Sequence, residues 1–352
     1  MKKIAVVGAG NAGCITALHY YYHGKDLFEI DIYHDDTPIE RVGQGTTLNP
    51  TELLGEALDI DWYNNPIDAT FKSGVLYEGW GKKLDKVFHP FPLETMAMHY
   101  IPEKLSNVVL NSGKFKVIKK TINDPEQEID SDYIFDCRGR HSRDKDDYTP
   151  LINPLNSVFL ATKEGRDTDL HYTRSVATPN GWTFIIPNTD SVSYGYLYNN
   201  TITPREEAMS DFLERFELPE VNGDIVFENY IANNIFIGTR TILNGNKASF
   251  LEPLEATATN FAKEICTHAW DSIVENVPTI HSQTMIKMLM KEYETFVLWH
   301  YQKGSKYNTP FWEYAKSLPF EPTKYFNDML TTDEDRIHGQ WNTKSFKIWK
   351  EV

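Results

Sequence analysis

The run Ile4-Ala5-Val6-Val7-Gly8-Ala9-Gly10-Asn11-Ala12-Gly13 constrains the fold more than any other part of the chain. Apolar, partly β-branched residues predict a strand, the glycines break it, and Ile15, Leu18 and Tyr22 then share a helical face. A second strand, Phe28 to Tyr33, follows at the interval of a strand–helix–strand unit, and the chain runs on into His34, Asp35 and Asp36. In such a unit Gly8 permits the tight turn and Gly10 lets a pyrophosphate approach the backbone. Gly13 lets helix touch strand, and the helix N-terminus attracts the anion. The pattern by itself does not say which dinucleotide is bound.

Composition narrows the function. Lys and Arg total 35 against 50 Asp and Glu, a formal charge of −15, which argues against a nucleic-acid or anionic-membrane partner. Cys14, Cys137 and Cys266 are scattered with no CxxC pair, so neither a zinc site nor a disulfide framework is indicated, no metal is expected, and a cytoplasmic setting follows. The chain passes directly from MKK into the first strand, with no signal-peptide pattern and no apolar run long enough for a membrane span.

Further along, Val117 to Glu128 suggests short strands and turns, and Tyr133 to Asp136 a buried strand ending at Gly139. Alternation in HYTRSVAT, GWTFIIP and SYGYLYN predicts a mixed or antiparallel sheet between 151 and 200. Residues 204–218 read as an amphipathic helix, and Phe261, Ile265, Cys266, Ala269 and Ile273 mark a longer one that ends before Pro278. Another helix runs through Phe296 to Tyr301. The expected fold is α/β.

Several blocks in order resemble the flavin-dependent halogenases of the tryptophan-halogenase type. They are the GAGNAG turn, Val42-Gly43-Gln44-Gly45-Thr46, Ala69 to Lys72 with Glu78-Gly79-Trp80, Phe88 to Phe91, Asp136 to Gly139, Gly181 to Pro187, Phe250 to Thr257, and His300-Tyr301 with Thr309 to Trp312. Phe250-Leu251-Glu252-Pro253-Leu254-Glu255 is similar to that family's FLEPLE block, and Trp182, Phe184 and Pro187 to its WxWxIP signature.

The resemblance implies a Rossmann-like FAD-binding fold of the glutathione-reductase and monooxygenase type, with an inserted mixed sheet and C-terminal helices. FAD-binding parts fall at about 1–50, 108–150 and 228–278, and substrate-side parts at about 51–107, 151–227 and 279–352, of a single composite unit. It further implies FADH2 from a separate flavin reductase, oxygen and a halide (chloride, bromide or iodide) as inputs, hypohalous acid as oxidant, and a small electron-rich aromatic as substrate. Lys72 and Glu255 are the catalytic residues by this resemblance, and Thr257 and Ala258 the halide pair. Trp182, Phe184 and Pro187 form the flavin-side wall. Gly8, Ala9, Gly10, Ala12, Gly13, Tyr33, His34, Gly43, Gln44, Gly45, Gly238 and Thr259 are the cofactor residues. Glu252 is expected to anchor a loop, and His89 and His99 stay outside the catalytic set.

The chain also departs from that pattern. Tyr33-His34 replaces an acidic residue for the adenosine ribose, with Asp35 as substitute, Gln44 replaces Glu, and Ala258 replaces a Gly and puts the halide pocket in question. The 241–247 stretch reads as an extra loop after Gly238. The shortness of the chain and of the Phe91–Val108 segment predicts a missing substrate lid, an open pocket and a broader set of aromatic or phenolic substrates. The compact form suits a virus-encoded or otherwise streamlined member, and a homo-oligomer is left open. Rival readings are a flavin-dependent aromatic monooxygenase, a flavin-binding protein without catalysis, and, on GAGNAG alone, an NAD-dependent dehydrogenase.

Overall fold

In the computed structural model, five parallel strands stand side by side in the spatial order Lys116–Lys119, Phe28–His34, Lys2–Val7, Tyr133–Asp136 and Thr241–Leu243. Numbered along the chain, this is the 3-2-1-4-5 order of a doubly wound dinucleotide-binding sheet. The structure describes residues 1–39, 42–60, 64–91, 97–140, 146–165, 171–338 and 340–352, with backbone alone at Leu48, Asn49 and His338.

The first strand buries side chains on both faces. Ile4 and Val6 enter the main core, while Ala5 and Val7 meet a smaller one with Ile122, Ile129 and Ile134. That two-sided burial is why the strand reads as a continuous apolar run instead of an alternation. Helix Asn11–Gly24 returns along the main-core face and packs against helix Thr257–Ile273.

A seven-stranded mixed sheet is ordered Gly223–Val226, Ser157–Glu164, Ser191–Tyr198, Gly181–Pro187, Thr173–Thr178, Gly74–Glu78 and Lys86–Pro90. Its middle strand, Gly181–Pro187, is buried along its whole length. Phe184 pairs with Gly195, and a Cβ on that glycine would come within 2.1 Å of the Phe184 ring. The missing side chain on one strand is thus the space for the aromatic on the next.

A small sheet centred on Ala97–Tyr100, with Gln44–Gly45 on one side and Thr70–Lys72 on the other, joins the two larger ones. Helices Thr279–Lys303, Pro310–Ser317, Lys324–Thr331 and Thr343–Glu351 complete the chain. From Tyr293 to Tyr301 the first of these is buried at every position.

One expectation changes. Residues 241–247 are no inserted loop: Thr241–Leu243 is the fifth parallel strand, followed by a tight turn at Gly245–Lys247. The C-terminal segment packs its Trp341, Phe346 and Trp349 on Tyr77, Trp80, Phe296 and Trp299. Within the compressed Phe91–Val108 stretch, residues 92–96 lie outside the described residues. Among the described residues no helix is long and apolar enough to cross a membrane, and no group of three metal-ligating side chains converges.

Candidate active site

The dinucleotide end is built from backbone. Gly8 has φ of 105°, closed to most L side chains, and its N–H donates to Tyr33 O over 2.8 Å. A Cβ on Gly13 would lie 1.8 Å from Gly8 O, whereas one on Gly10 would meet nothing within 4 Å. The turn is therefore packed on its inner side and open on its outer side, as a pyrophosphate cradle requires. Ala9 is buried in the core, and Ala12 lies under Gly245, where a Cβ would approach it to 2.4 Å.

Asn11 and Tyr100 add what the sequence did not announce. Asn11 Nδ2 donates to Thr259 Oγ1 over 3.0 Å, and the Tyr100 hydroxyl donates to Asn11 Oδ1. The N-terminus of the first helix is thereby tied to that of helix Thr257–Ile273. Thr259 itself is buried at this junction.

At the far end of the second strand, Tyr33 turns its ring into the small core. His34 is half-buried and pairs in register with Lys119. Beyond them a cleft of about 550 Å³ is lined by Asp35, Asp36, Thr37, Lys119, Lys120 and Thr121. Thr37 hydrogen bonds hold the Asp35 carboxyl below its ordinary range. Gly238 must be removed from this group. It lies on the hairpin turn before strand Thr241–Leu243, at the opposite end of the parallel sheet from Gly8, because Leu243 and not Thr241 aligns with Asp136 and hence with Val7.

Gly43 donates its N–H to Ser193 Oγ over 3.1 Å and leaves room for Asn188, whose Oδ1 would lie 2.3 Å from an added Cβ. Gln44 and Gly45 pair with Tyr100 and His99. A Cβ on Gly45 would stand 3.1 Å from Lys72 Nζ, so the segment carrying Gly43 to Gly45 touches the lysine directly.

Lys72 is 1 % exposed, and among the described residues its ammonium has one hydrogen-bond acceptor, Thr46 O at 2.9 Å. Burial pushes its pKa down to about 8 against the pull of Glu255. An ammonium has three donors, of which one is used among the described residues. Behind it His99 is fully buried. Thr70 donates its hydroxyl to Pro187 O at 2.7 Å, which leaves Thr70 Oγ1 to accept from His99 Nδ1–H at 3.2 Å and His99 Nε2 to accept from Thr173 at 2.8 Å. This tautomer is neutral, as burial and the Lys72 charge both favour.

Glu255 ends a short turn, Pro253–Glu255, and is buried. Its Oε1 accepts from the Tyr77 hydroxyl at 2.5 Å and lies 2.7 Å from His300 Nε2; Oε2 accepts from Trp341 Nε1 at 2.8 Å. Burial alone would raise its pKa, but the His300 charge and the three donors outweigh it and hold the carboxyl below its ordinary range. Glu252, three residues earlier, has the opposite character. Its Oε1 accepts from Tyr301 at 2.6 Å, its Oε2 has no partner among the described residues, and burial pushes it up to about 8. Burial thus favours the neutral form of Glu252, whereas the groups around Glu255 favour its carboxylate.

Ala256, between Glu255 and the helix, has φ of 52° and ψ of 39°, and no side chain caps the helix N-terminus. Thr257 is buried and Ala258 exposed in that first turn, where free N–H groups suit an anion. The left-handed alanine is Ala256; Ala258 is helical, so its replacement of Gly carries no backbone strain. Trp182 Nε1 donates to the Tyr301 hydroxyl at 3.1 Å, Phe184 lies 6.3 Å from Trp182 between ring centres, and Pro187 O accepts from Thr70.

A profile of the tryptophan halogenase family matches residues 3–104 and 94–351. The chain belongs to the tryptophan halogenase family. It is 22 % identical over 326 residues to tryptophan 7-halogenase RebH of Lentzea aerocolonigenes, covering 85 % of this chain and 60 % of that one. To tryptophan 6-halogenase ThaL of Streptomyces albogriseolus it is 22 % identical over 285 residues, 74 % of this chain and 53 % of the relative. It thus spans little more than half the length of these relatives. The crystal structure of a tryptophan halogenase from Shewanella frigidimarina superposes with a TM-score of 0.83 at 18 % identity, over all of this chain and 88 % of that one, and shows the shared fold. These relatives give no support to the viral source suggested by the compact length.

Proposed function

We propose that this chain is an FAD-dependent halogenase acting on an electron-rich aromatic compound. Bound as FADH2, delivered by a separate flavin reductase and supplied with oxygen and a halide, the flavin furnishes hypohalous acid. The open outer side of Gly10 and the close packing of Gly8 and Gly13 fit such a dinucleotide, with Ala9, Ala12, Asn11 and Thr259 around the pyrophosphate and Asp35 toward the ribose. The Gly43–Gly45 segment and the Trp182, Phe184 and Pro187 wall then separate the cofactor from the arene, and Thr257 and Ala258 N–H groups hold the halide.

One observation carries the reading: Lys72 is a fully buried ammonium with a pKa brought down to about 8 and one acceptor among the described residues. Burying a charge with donors unspent is unfavourable unless a guest uses them. Lys72 holds the oxidant by hydrogen bonding or takes up the halogen as a haloamine, and Glu255 orients the oxidant and manages the proton exchanged with the ring.

Incubation with FAD, a flavin reductase, NADH and each halide over a panel of phenols and indoles, followed by mass spectrometry, tests this. Halogenated products are expected; hydroxylated products without halogen would establish a monooxygenase instead.

A further inference from the structure

Thr173 is a residue to which the halogenase reading gives no role, and the hydrogen bonds leading to it run in one direction. Thr70 has a single hydroxyl proton and gives it to Pro187 O at 2.7 Å, so Thr70 Oγ1 accepts from His99 Nδ1–H at 3.2 Å. Burial and the Lys72 charge both keep His99 neutral, so its Nε2 is bare and accepts from the Thr173 hydroxyl at 2.8 Å. The one hydroxyl proton of Thr173 is thereby committed to His99, and its oxygen is left as an acceptor.

That oxygen borders the same space as the Lys72 ammonium. A Cβ on Gly45 would stand 3.1 Å from Lys72 Nζ and 3.6 Å from Thr173 Oγ1, with the edge of the His99 ring also at 3.6 Å. No hydrogen bond joins Lys72 to Thr173; the ammonium gives one to Thr46 O at 2.9 Å and lies over the Phe91 ring at 5.3 Å. Thr173 is half-buried at the start of strand Thr173–Thr178, and among the described residues nothing donates to its oxygen. Both Glu255 oxygens, by contrast, already accept, from Tyr77 and from Trp341. A donor and an acceptor thus border one gap beside Gly45, and a side chain at position 45 would enter it.

The geometry points to a guest with one hydroxyl group held between Lys72 and Thr173: its oxygen accepts from the ammonium, and its O–H donates to Thr173 Oγ1. The inference rests on the halogenase reading, which names the guest as hypohalous acid. With both bonds made, the oxygen is fixed at two points and the halogen is the one end of the molecule left free. Thr173 therefore shares with Glu255 the task of orienting the oxidant toward the arene. His99 is a positioning residue that turns the Thr173 proton away from the gap. A halide ion has no proton to give Thr173, so this pair of contacts distinguishes the oxidant from the halide.

Nitrogen NMR of the full chain labelled in its histidines, at pH 7 and without flavin or halide, tests the direction of the hydroxyl. His99, assigned through its backbone signals, is expected with Nδ1 protonated and Nε2 in the unprotonated range. A protonated Nε2 would turn the Thr173 proton toward Lys72 and overturn the proposal. Turnover with FAD, a flavin reductase, NADH, bromide and an electron-rich phenol, beside a dissolved β-diketone that captures escaped hypobromous acid, tests the guest. The ratio of brominated phenol to brominated diketone should fall about tenfold in Thr173→Val, the loss of one hydrogen bond, and return close to the wild-type ratio in Thr173→Ser. An unchanged ratio in a folded Thr173→Val, or no recovery in Thr173→Ser, also overturns it. If Thr173→Val does not fold, the ring spectrum of the wild type decides. If the wild type brominates neither phenol nor diketone, the proposed function fails and hypobromous acid with it, while the ring spectrum still decides whether Thr173 is an acceptor.

Discussion

Trp341 donates its indole N–H to Glu255 Oε2 over 2.8 Å, across 86 positions of sequence, and stacks on Phe296 at 4.3 Å. The C-terminal segment is therefore part of the site's electrostatics. Trp341→Phe keeps the stack and removes the donor, and a lost hydrogen bond to a buried charge costs about 1–3 kcal/mol. Glu255 has its folded pKa depressed, so its contribution is present above the ordinary value of 4.5 and is lost as pH falls through the folded one. Urea unfolding should show the deficit at pH 7 and a smaller one at pH 4. Equal deficits at both would contradict this account.

Glu252 makes the opposite prediction. Its folded pKa is raised from 4.5 to about 8, so its contribution is fully present below about pH 4.5 and is lost as pH rises through about 8. Glu252→Gln copies the neutral carboxyl and accepts from Tyr301. The variant's stability should match the wild type near pH 4.5 and exceed it at pH 8.5; an identical slope in both proteins would show that Glu252 is ionised throughout.

The sequence made the nucleotide end legible because Gly8, Gly10 and Gly13 act within one turn. The partners of Glu255 come from positions 77, 300 and 341, on a strand, a helix and the C-terminal segment, and no local pattern links them. His300 stood in a recognised block yet served only as a landmark. Gly238 was misplaced for a related reason: which end of the sheet it occupies depends on the register of Thr241–Leu243, a pairing fixed across the chain.

Gly10 and Gly13 separate binding from folding. Gly10→Ser adds its side chain to open space and supplies a capping hydroxyl, so thermal stability should hold within about 0.5 kcal/mol while FAD affinity drops at least about tenfold. Gly13→Ala places a carbon against Gly8 O and should lose about 1–3 kcal/mol or more. Calorimetric titration with FAD beside thermal melts reads both; unaltered FAD affinity in Gly10→Ser would remove the cradle from the account.

Ala256 and Ala258 differ in sign. Ala256→Gly relieves a left-handed alanine and should stabilise the chain by about 0.5–1 kcal/mol, whereas Ala258→Gly, in the first helical turn, should destabilise it by up to about 1 kcal/mol. Chemical denaturation of the two variants in parallel checks this. The same sign for both would mean that the turn before the helix relaxes.

The most direct test is the product mass spectrum of Lys72→Ala beside the wild type, with FAD, a flavin reductase, NADH, bromide and an electron-rich phenol. The wild type should yield the bromoarene, and the variant should bind FAD and consume NADH and oxygen while making no bromoarene above that formed by free hypobromite. Bromoarene from a folded Lys72→Ala at the wild-type rate would contradict the account.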